Sequence, residues 1–371
     1  MRRVIDTMSE DPEIKRIEVS VYRIPTDFPE SDGTLEWTDT TTVVVEAYAG
    51  NQRGIGYTFA DTATAQLIKD KLGPLLVGAN AMALPASWLA MVRSIRNLGR
   101  PGIAAMAISA VDVALWDLKA RLLNLSLLGL LGKVRDCVPV YGSGGFTSYS
   151  LEQLQRQLAG WAAAGIRSVK MKIGRDPAAD SQRVRAARSA IGPDVGLFVD
   201  ANGAYDRKQA LLEAERFAAD RVTWFEEPVS SDDLEGLRLI RDRAPAGMHI
   251  AAGEYGYNLV YFRRMLEAGA VDVLQADATR CGGFSGFMAV AALCQARSML
   301  LSAHTAPSLH SHVCCALAPV CHVEYFHDHT RIEQMFFEGA LIAQDGALAP
   351  DPSRPGLGIE FKRADAQRYA L

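Results

Sequence analysis

Ser168-Val169-Lys170-Met171-Lys172-Ile173, then Gly196-Leu197-Phe198-Val199-Asp200, then Val222-Thr223-Trp224-Phe225-Glu226-Glu227-Pro228: within residues 168–228, three short apolar runs each carry charge at or near their end. Each run has the length and the β-branched or aromatic content of a strand. Helix-length amphipathic segments separate them, so successive strands are joined by crossovers and run parallel. The same beat extends outward in both directions. Residues 138–142 precede it, and residues 249–252, 271–275, 299–303 and 322–325 follow, with starts 22 to 30 residues apart. Eight such units predict a closed (β/α)8 barrel, an α/β fold of the TIM type. The competing architecture, an open doubly wound sheet, needs a glycine-rich phosphate turn after its first strand. Ser143-Gly144-Gly145 does not have that spacing.

The chain before the barrel has a different texture. Strands are expected at residues 17–22, 41–48 and about 53–57, with a polar loop over residues 25–39 that contains Phe28, Trp37 and the breakers Pro29, Asp32 and Gly33. Helical patterns follow over residues 63–76, 85–98 and 102–123. The last has small or apolar residues on more than one face and is expected to be buried.

A length of 371 residues suits two domains, and 49% hydrophobic with 22% charged residues is globular composition. Lys plus Arg number 39 against 43 Asp plus Glu, a net charge of −4, which gives no electrostatic case for nucleic acid or an anionic membrane surface. The longest apolar stretches are interrupted by Ser109, Asp112, Asn124 and Ser126, short of the roughly 20 apolar residues of a bilayer span. Residues 1–16 place Asp6, Glu10, Asp11 and Glu13 where a leader needs its apolar core, so a cytoplasmic protein is expected. Adjacent Cys314 and Cys315 suit a reducing compartment. With Cys321 and His322 they lack a zinc-knuckle spacing and read as buried structural thiols.

In a barrel of this kind, reactive groups sit at the C-terminal ends of the strands. Those ends carry, in order, Lys170 and Lys172, Asp200 and Asn202, Glu226, Glu254, Asp277, His304 and Glu324. Asp200, Glu226 and Glu254 are three hard oxygen donors from adjacent strands, a ligand set for Mg2+. Glu226 is preferred to Glu227 because neighbouring side chains on a strand point to opposite faces; Glu227 orients a neighbour. Lys172 and His304 flank that set from strands two and seven, one proton-transfer group on each side. Lys170 and Lys172 are expected to depress each other's pKa, Asp277 to fix the tautomer of His304, and Glu324 to donate a hydrogen bond to a developing oxyanion while protonated. His249 and His322 begin their strands, at the opposite end. His310, His312, His327 and His329 suggest no partner.

The Lys170-x-Lys172 motif, the acids Asp200, Glu226 and Glu254, the Asp277–His304 dyad and Glu324 together resemble the enolase superfamily, in its mandelate racemase subgroup. The resemblance includes Ala110-Val111-Asp112-Val113-Ala114-Leu115-Trp116-Asp117-Leu118-Lys119 and Pro355-Gly356-Leu357-Gly358-Ile359-Glu360 and spans nearly the whole chain. It implies an α+β capping domain of residues 1–132, completed by residues 355–371, over a modified (β/α)8 barrel of residues 133–354. It also implies Mg2+-dependent abstraction of the proton α to a carboxylate, through an enediolate. By similarity Lys172 and His304 are the acid/base pair, Lys170 helps bind the carboxylate, and Glu324 bonds the oxygen that gains charge. An assembly of identical subunits acting on a small carboxylate is implied as well.

Specificity in such proteins comes from cap loops over the barrel mouth, here residues 25–39 and 56–62. Trp37 and Tyr57 are the candidates on those loops, with Asn202 and Arg280 from the barrel. The polar first loop favours a polyhydroxylated acid. Arg280 stands where it either pairs with the second carboxylate of an aldarate or bridges to a helix. The expected reaction is dehydration of an aldonate or aldarate to a 2-keto-3-deoxy acid. Racemisation or epimerisation of a 2-hydroxy acid and cycloisomerisation of a lactone or anhydro-sugar acid are the alternatives, because all three start from the same proton abstraction.

Overall fold

β-Branched residues in alternation build β1 (Ile14–Ser31), β2 (Glu36–Ala49) and β3 (Gln52–Phe59), an antiparallel sheet in the computed structural model, which describes residues 12–371. The expected loop over residues 25–39 is instead the far end of the β1–β2 hairpin. Proline at 25 and 29 lacks the N–H that a ladder needs, and the register slips between Pro25 and Glu30 before pairing resumes at Glu30–Trp37. The turn closes on Asp32, whose Oδ1 accepts from the backbone N–H of Thr34 and of Leu35, both at 2.6 Å.

The helix Ile103–Leu122 lies against this sheet and is buried along most of its length, as its composition predicts. Close approach requires glycine at two positions. A Cβ on Gly54 would stand 2.2 Å from the carbonyl oxygen of Ala114, and one on Gly56 2.2 Å from that of Ala110. The pattern over residues 63–76 forms three short pieces, Thr62–Leu67, a π turn Ile68–Leu72 and Gly73–Leu76, because Gly73-Pro74 interrupts it.

The barrel strands follow: β4 (Val138–Gly144), β5 (Ser168–Lys172), β6 (Gly196–Asp200), β7 (Val222–Glu226), β8 (His249–Ala252), β9 (Val273–Ala276), β10 (Leu300–Ala303) and β11 (Val320–Phe326). They pair in sequence order, all parallel, and β11 closes on β4. A short strand, Ala347–Leu348, adds antiparallel to β4. Alternation sorts the side chains. Val169, Met171, Leu197, Val199, Phe225 and Ile250 belong to the core shared with the surrounding helices, while Tyr141, Phe198, Trp224, Ala251 and Val273 form a separate plug inside the barrel. His322 packs edge-on against Tyr141 in that plug, 4.8 Å between ring centres, in keeping with a structural role away from the catalytic mouth.

Asp117, buried on the helix Ile103–Leu122, accepts from the backbone N–H of Ile55 at 2.8 Å and of Leu357 at 2.6 Å, and pairs with Arg121 at 2.9 Å. Arg121 in turn holds Glu360, so sheet, helix and C-terminal tail meet at one carboxylate. On the barrel side, Asp112 accepts from Ser285 and Ser109 from Gly282 and Gly283. All six cysteines are free; Cys314 and Cys315 are buried and Cys321 is half-buried. No helix among the described residues is long and apolar enough to cross a membrane. Of the opening segment read for a leader, residues 1–11 lie outside the described residues.

Candidate active site

The parity that sorts the core also builds the site. Asp200 stands two residues after Phe198, Glu226 two after Trp224, and Gln275 and Asp277 continue from Val273, so each points into the barrel above the apolar plug. Lys170 lies in the layer between, its Nζ 5.3 Å from the ring centre of Tyr141. Glu254 breaks the rule. It comes three residues after the inward Ala251, and parity alone would send it out. Gly253 turns it back: its φ is +139°, and a Cβ there would meet the carbonyl oxygen of Gln275 at 2.1 Å.

Asp200, Glu226 and Glu254 are buried, and each offers an oxygen within 4.8 Å of the others, the one group of this kind among the described residues. Lys172 Nζ donates to Asp200 Oδ2 at 2.5 Å and to Asn202 Oδ1 at 3.1 Å. At the other side His304 Nε2 stands 3.1 Å from Glu254 Oε2, while its Nδ1 is bonded to Asp277 Oδ2 at 2.9 Å. Lys170 Nζ bridges Glu226 Oε1 at 2.5 Å and Glu324 Oε1 at 2.9 Å. Ser143 Oγ donates to Glu324 at 2.6 Å, and the Thr305 N–H at 3.2 Å. Trp224 Nε1 donates to Glu226 at 2.9 Å. Three buried hard donors this close, with the Oε1 of Glu227 buried behind them without a hydrogen-bond partner, fit a hard divalent cation such as Mg2+ and not a thiolate-seeking metal.

The electrostatics differ from expectation at three residues. Burial would lower the Lys170 and Lys172 pKa values, and the charge of Lys170 also lowers that of Lys172. The carboxylates dominate instead: Asp200 raises Lys172, and Glu226 and Glu324 raise Lys170 well above its usual value. Glu324 is ionised, not protonated. Burial pushes it up, but Lys170 and then His304 hold it at about 2. For His304, burial is outweighed by Glu254 and Glu324, which raise it to about 9. Glu226 is pushed up to about 8 by burial and then by the Asp200 carboxylate. Both proton-transfer candidates are thus held charged by the acids they flank.

Above these groups lies a cavity of about 510 Å³ under the β1–β2 hairpin. Asn202, Arg280 and Trp37 line it; Tyr57 does not. Tyr57 is fully buried, donates to Glu333 at 2.5 Å and stacks on Phe337, two residues short of the mouth on the face that Phe59 carries to the cavity. Arg280 lines the cavity and stands beside two strand-end carboxylates, not a helix: its Nε lies 3.6 Å from Asp277 and its Nη1 3.6 Å from Glu254. Most hairpin charges tie the hairpin down instead of facing the cavity. Asp27 meets His327 and Arg331, Glu36 meets Arg175, and Glu30 is buried under Trp37.

All four histidines for which the sequence suggests no partner have one: His312 Nε2 bonds the Leu357 carbonyl at 3.1 Å, His327 lies 3.3 Å from Asp27, and the other two reach the site. His310 Nε2 accepts the N–H of Ala278 at 2.8 Å while Nδ1 bonds the Thr305 carbonyl at 2.8 Å, clamping the loops after β9 and β10. His329 lies face to face on Phe59, ring centres 3.5 Å apart, in the cavity wall. No local motif marks either residue; only the position of the loops after β10 and β11 would have pointed to them.

A closed parallel barrel with a lysine and a histidine facing a buried carboxylate triad, under an antiparallel cap, defines a protein of the enolase type. The description "Mandelate racemase / muconate lactonizing enzyme, N-terminal domain" matches residues 16–132, and "Enolase C-terminal domain-like" matches residues 153–366. The chain belongs to the mandelate racemase/muconate lactonizing enzyme family of the enolase superfamily, in its mandelate racemase subgroup. It is 34% identical to the 3,6-anhydro-alpha-L-galactonate cycloisomerase of Streptomyces coelicolor over 94% of this chain and 98% of that protein. A crystal structure of a mandelate racemase/muconate lactonizing enzyme-like protein from Rubrobacter xylanophilus superimposes with a TM-score of 0.95 at 55% identity, covering 97% of this chain and all of that one. The L-talarate/galactarate dehydratase of Salmonella typhimurium is 29% identical over 96% of this chain and 90% of its own; its structure liganded with Mg and L-lyxarohydroxamate superimposes with a TM-score of 0.89 at 27% identity, covering all of this chain and 96% of that one.

Proposed function

We propose that this protein is a Mg2+-dependent enzyme that removes the proton α to the carboxylate of a sugar acid and expels an oxygen from the β-carbon, giving a 2-keto-3-deoxy acid. The observation that carries the reading is the placement of Lys172 and His304 against different ends of one carboxylate triad, Lys172 bonded to Asp200 and His304 Nε2 3.1 Å from Glu254. Asp200, Glu226 and Glu254 would hold Mg2+, which would supply positive charge for the substrate carboxylate and would offset the acids that keep Lys172 and His304 charged. Lys172 takes the α-proton from one face. His304, held in one orientation by Asp277, delivers a proton to the departing β-oxygen. The electron pair of the broken C–H bond forms the new double bond as the C–O bond breaks, and the resulting enol tautomerises to the ketone. Lys170 and the ionised Glu324 form the ion pair beneath the substrate carboxylate, and Asn202 orients Lys172.

The leaving oxygen distinguishes two versions. A free hydroxyl gives dehydration, the activity for which the Salmonella relative is named. An oxygen tethered in a ring gives cycloisomerisation, and the 34% identity to a cycloisomerase along 94% of the chain favours keeping that version. Return of the proton to the opposite face, without loss of oxygen, would make the protein an epimerase. The same reading takes in a homo-oligomer in the cytoplasm with a small carboxylate as its partner; the six free cysteines suit that compartment.

The test is incubation of the Mg2+-loaded protein with a panel of open-chain and anhydro-sugar acids, with α-keto product trapped by a carbonyl reagent. Keto product from an open-chain acid establishes dehydration, and from an anhydro acid, cycloisomerisation. Inversion of the α-centre without ketone establishes epimerisation and overturns the loss of oxygen.

A further inference from the structure

The cavity is charged unequally along its length. At the triad end lie Lys172, His304 and Arg280; at the cap end lie Asp32, Asp39 and Asp61. None of the three cations is available to a group at the cap end. Lys172 and His304 face the triad, and the Arg280 guanidinium stands 3.6 Å from both Glu254 and Asp277 and donates to the Glu254 carbonyl at 3.2 Å. His329, the remaining basic side chain lining the cavity, is kept neutral by burial. The cap-end acids are already oriented. Asp32 holds the hairpin turn, Asp61 accepts the Ala63 N–H at 2.8 Å, and Asp39 meets Arg23 at a loose 3.5 Å. The wall also carries aromatic rings, with Phe59 stacked on His329 and Trp37 standing edge-on to the buried Phe146.

We propose that the substrate is a monocarboxylate sugar acid whose far end carries only hydroxyl groups, and that Asp32, Asp39 and Asp61 select it over the matching diacid. The inference rests on the sugar-acid reading above and narrows it. The substrate carboxylate goes to the triad end. Its hydroxyls at the cap end donate to carboxylates, bonds that are stronger for having a charged acceptor, and its C–H faces lie on the aromatic wall. A second carboxylate there would meet three like charges in a partly enclosed space with no free cation lining it among the described residues. Like-charge contact of that kind weakens binding by about tenfold or more.

The experiment compares aldonates with the aldarates of the same configuration on the Mg2+-loaded full chain, reading kcat/KM and, independently, binding by calorimetry. The expected result is a preference of about tenfold or more for the monoacid in both readouts. Added salt lowers the diacid KM more than the monoacid KM, because screening relieves the repulsion. Asp39→Asn and Asp61→Asn each narrow the preference, chiefly through the diacid KM. Asn keeps the cap of the helix Thr62–Leu67, so an unchanged circular dichroism spectrum and Tm separate a lost charge from a lost fold. Equal or better use of diacids by the unaltered protein overturns the inference, as does a preference that neither Asn variant moves. If no acid of any pair binds or exchanges its α-proton, the sugar-acid reading itself fails and this one goes with it.

Discussion

Lys172 and His304 are each held by partners that set their charge, and those partners are where single substitutions are most informative. Asp277 acts through His304: it bonds Nδ1, and its own carboxylate lies far below the usual range because, against burial, the hydrogen bond from His304 and the charges of His304 and His310 favour the ionised form. Asp277→Asn removes the charge but not the volume. The expected outcome is a fall in kcat of about 10²–10⁴, with the His304 limb of the pH–rate profile moving to lower pH, since the Asp277 bond is one of the contacts that raise the His304 pKa. A merely structural role would lower kcat without moving that limb. Glu30 offers a stability test away from the triad. Burial, then the Asp328 carboxylate, push it up to about 8, so the folded protein holds this proton more tightly than the unfolded chain does. Stability contributed by Glu30 is therefore full at acid pH and declines as pH rises from about 4 to about 8. Glu30→Gln keeps an acceptor for Trp37 and cannot ionise; its Tm is expected to exceed the wild-type Tm above pH 8 and to match it near pH 4.

At the scale of the element, strand parity explains both what was legible and what was not. Lys170, Lys172, Asp200, Glu226, Asp277, His304 and Glu324 all follow from a two-residue alternation that an observer can count in the chain, and the bounds of β6, β7 and β8 agree with the runs read from it. Glu254 is reached only because Gly253 bends the strand end, a conformation that no count of alternation contains. Gly253→Ala is expected to displace that end: the new Cβ would lie 2.1 Å from the Gln275 carbonyl at a φ of +139°. Mg2+ affinity, measured calorimetrically, should fall by at least tenfold along with Tm; unchanged affinity would remove Glu254 from the proposed ligand set. Tyr57 shows the limit of the same counting. It shares a face with Phe59, but which of the two reaches the cavity depends on where the chain after the last barrel strand packs, and Phe337 covers Tyr57. The hairpin over residues 25–39 was read as a loop because its prolines and charges suppress strand patterning. Its pairing is set by the partner strand, and its charges by the barrel loops they clasp.

Across the whole molecule, cap and barrel are joined through a shared apolar core and through buried polar side chains. The main apolar cluster runs from the barrel strands and helices into Tyr22, Ile24, Val44, Ile55, Tyr57 and Val113 of the cap, while a second cluster lies within the cap. Asp117 sits at the joint, and Asp117→Ala would leave the Arg121 Nε and two backbone N–H groups without their acceptor; a loss of about 3–5 kcal/mol in denaturant unfolding is expected. Conservative loss of charge in Asp117→Asn should cost less, since one carbonyl still accepts. The barrel was readable from its repeat alone, eight times over. The seating of the cap was not, because it depends on contacts between residues more than two hundred positions apart, such as Asp117 with Leu357.

The central claim is that Lys172 and His304 move the α-proton of a sugar acid. It is tested most directly by NMR in D₂O, following deuterium at the α-carbon and keto product in the Mg2+-loaded protein and in Lys172→Ala and His304→Ala. The account predicts metal-dependent exchange or keto product with at least one acid. Lys172→Ala should abolish both signals, and His304→Ala should lose keto product while retaining exchange from the lysine face. Keto product that persists at the wild-type rate in either variant, or that does not depend on a divalent cation, would contradict it.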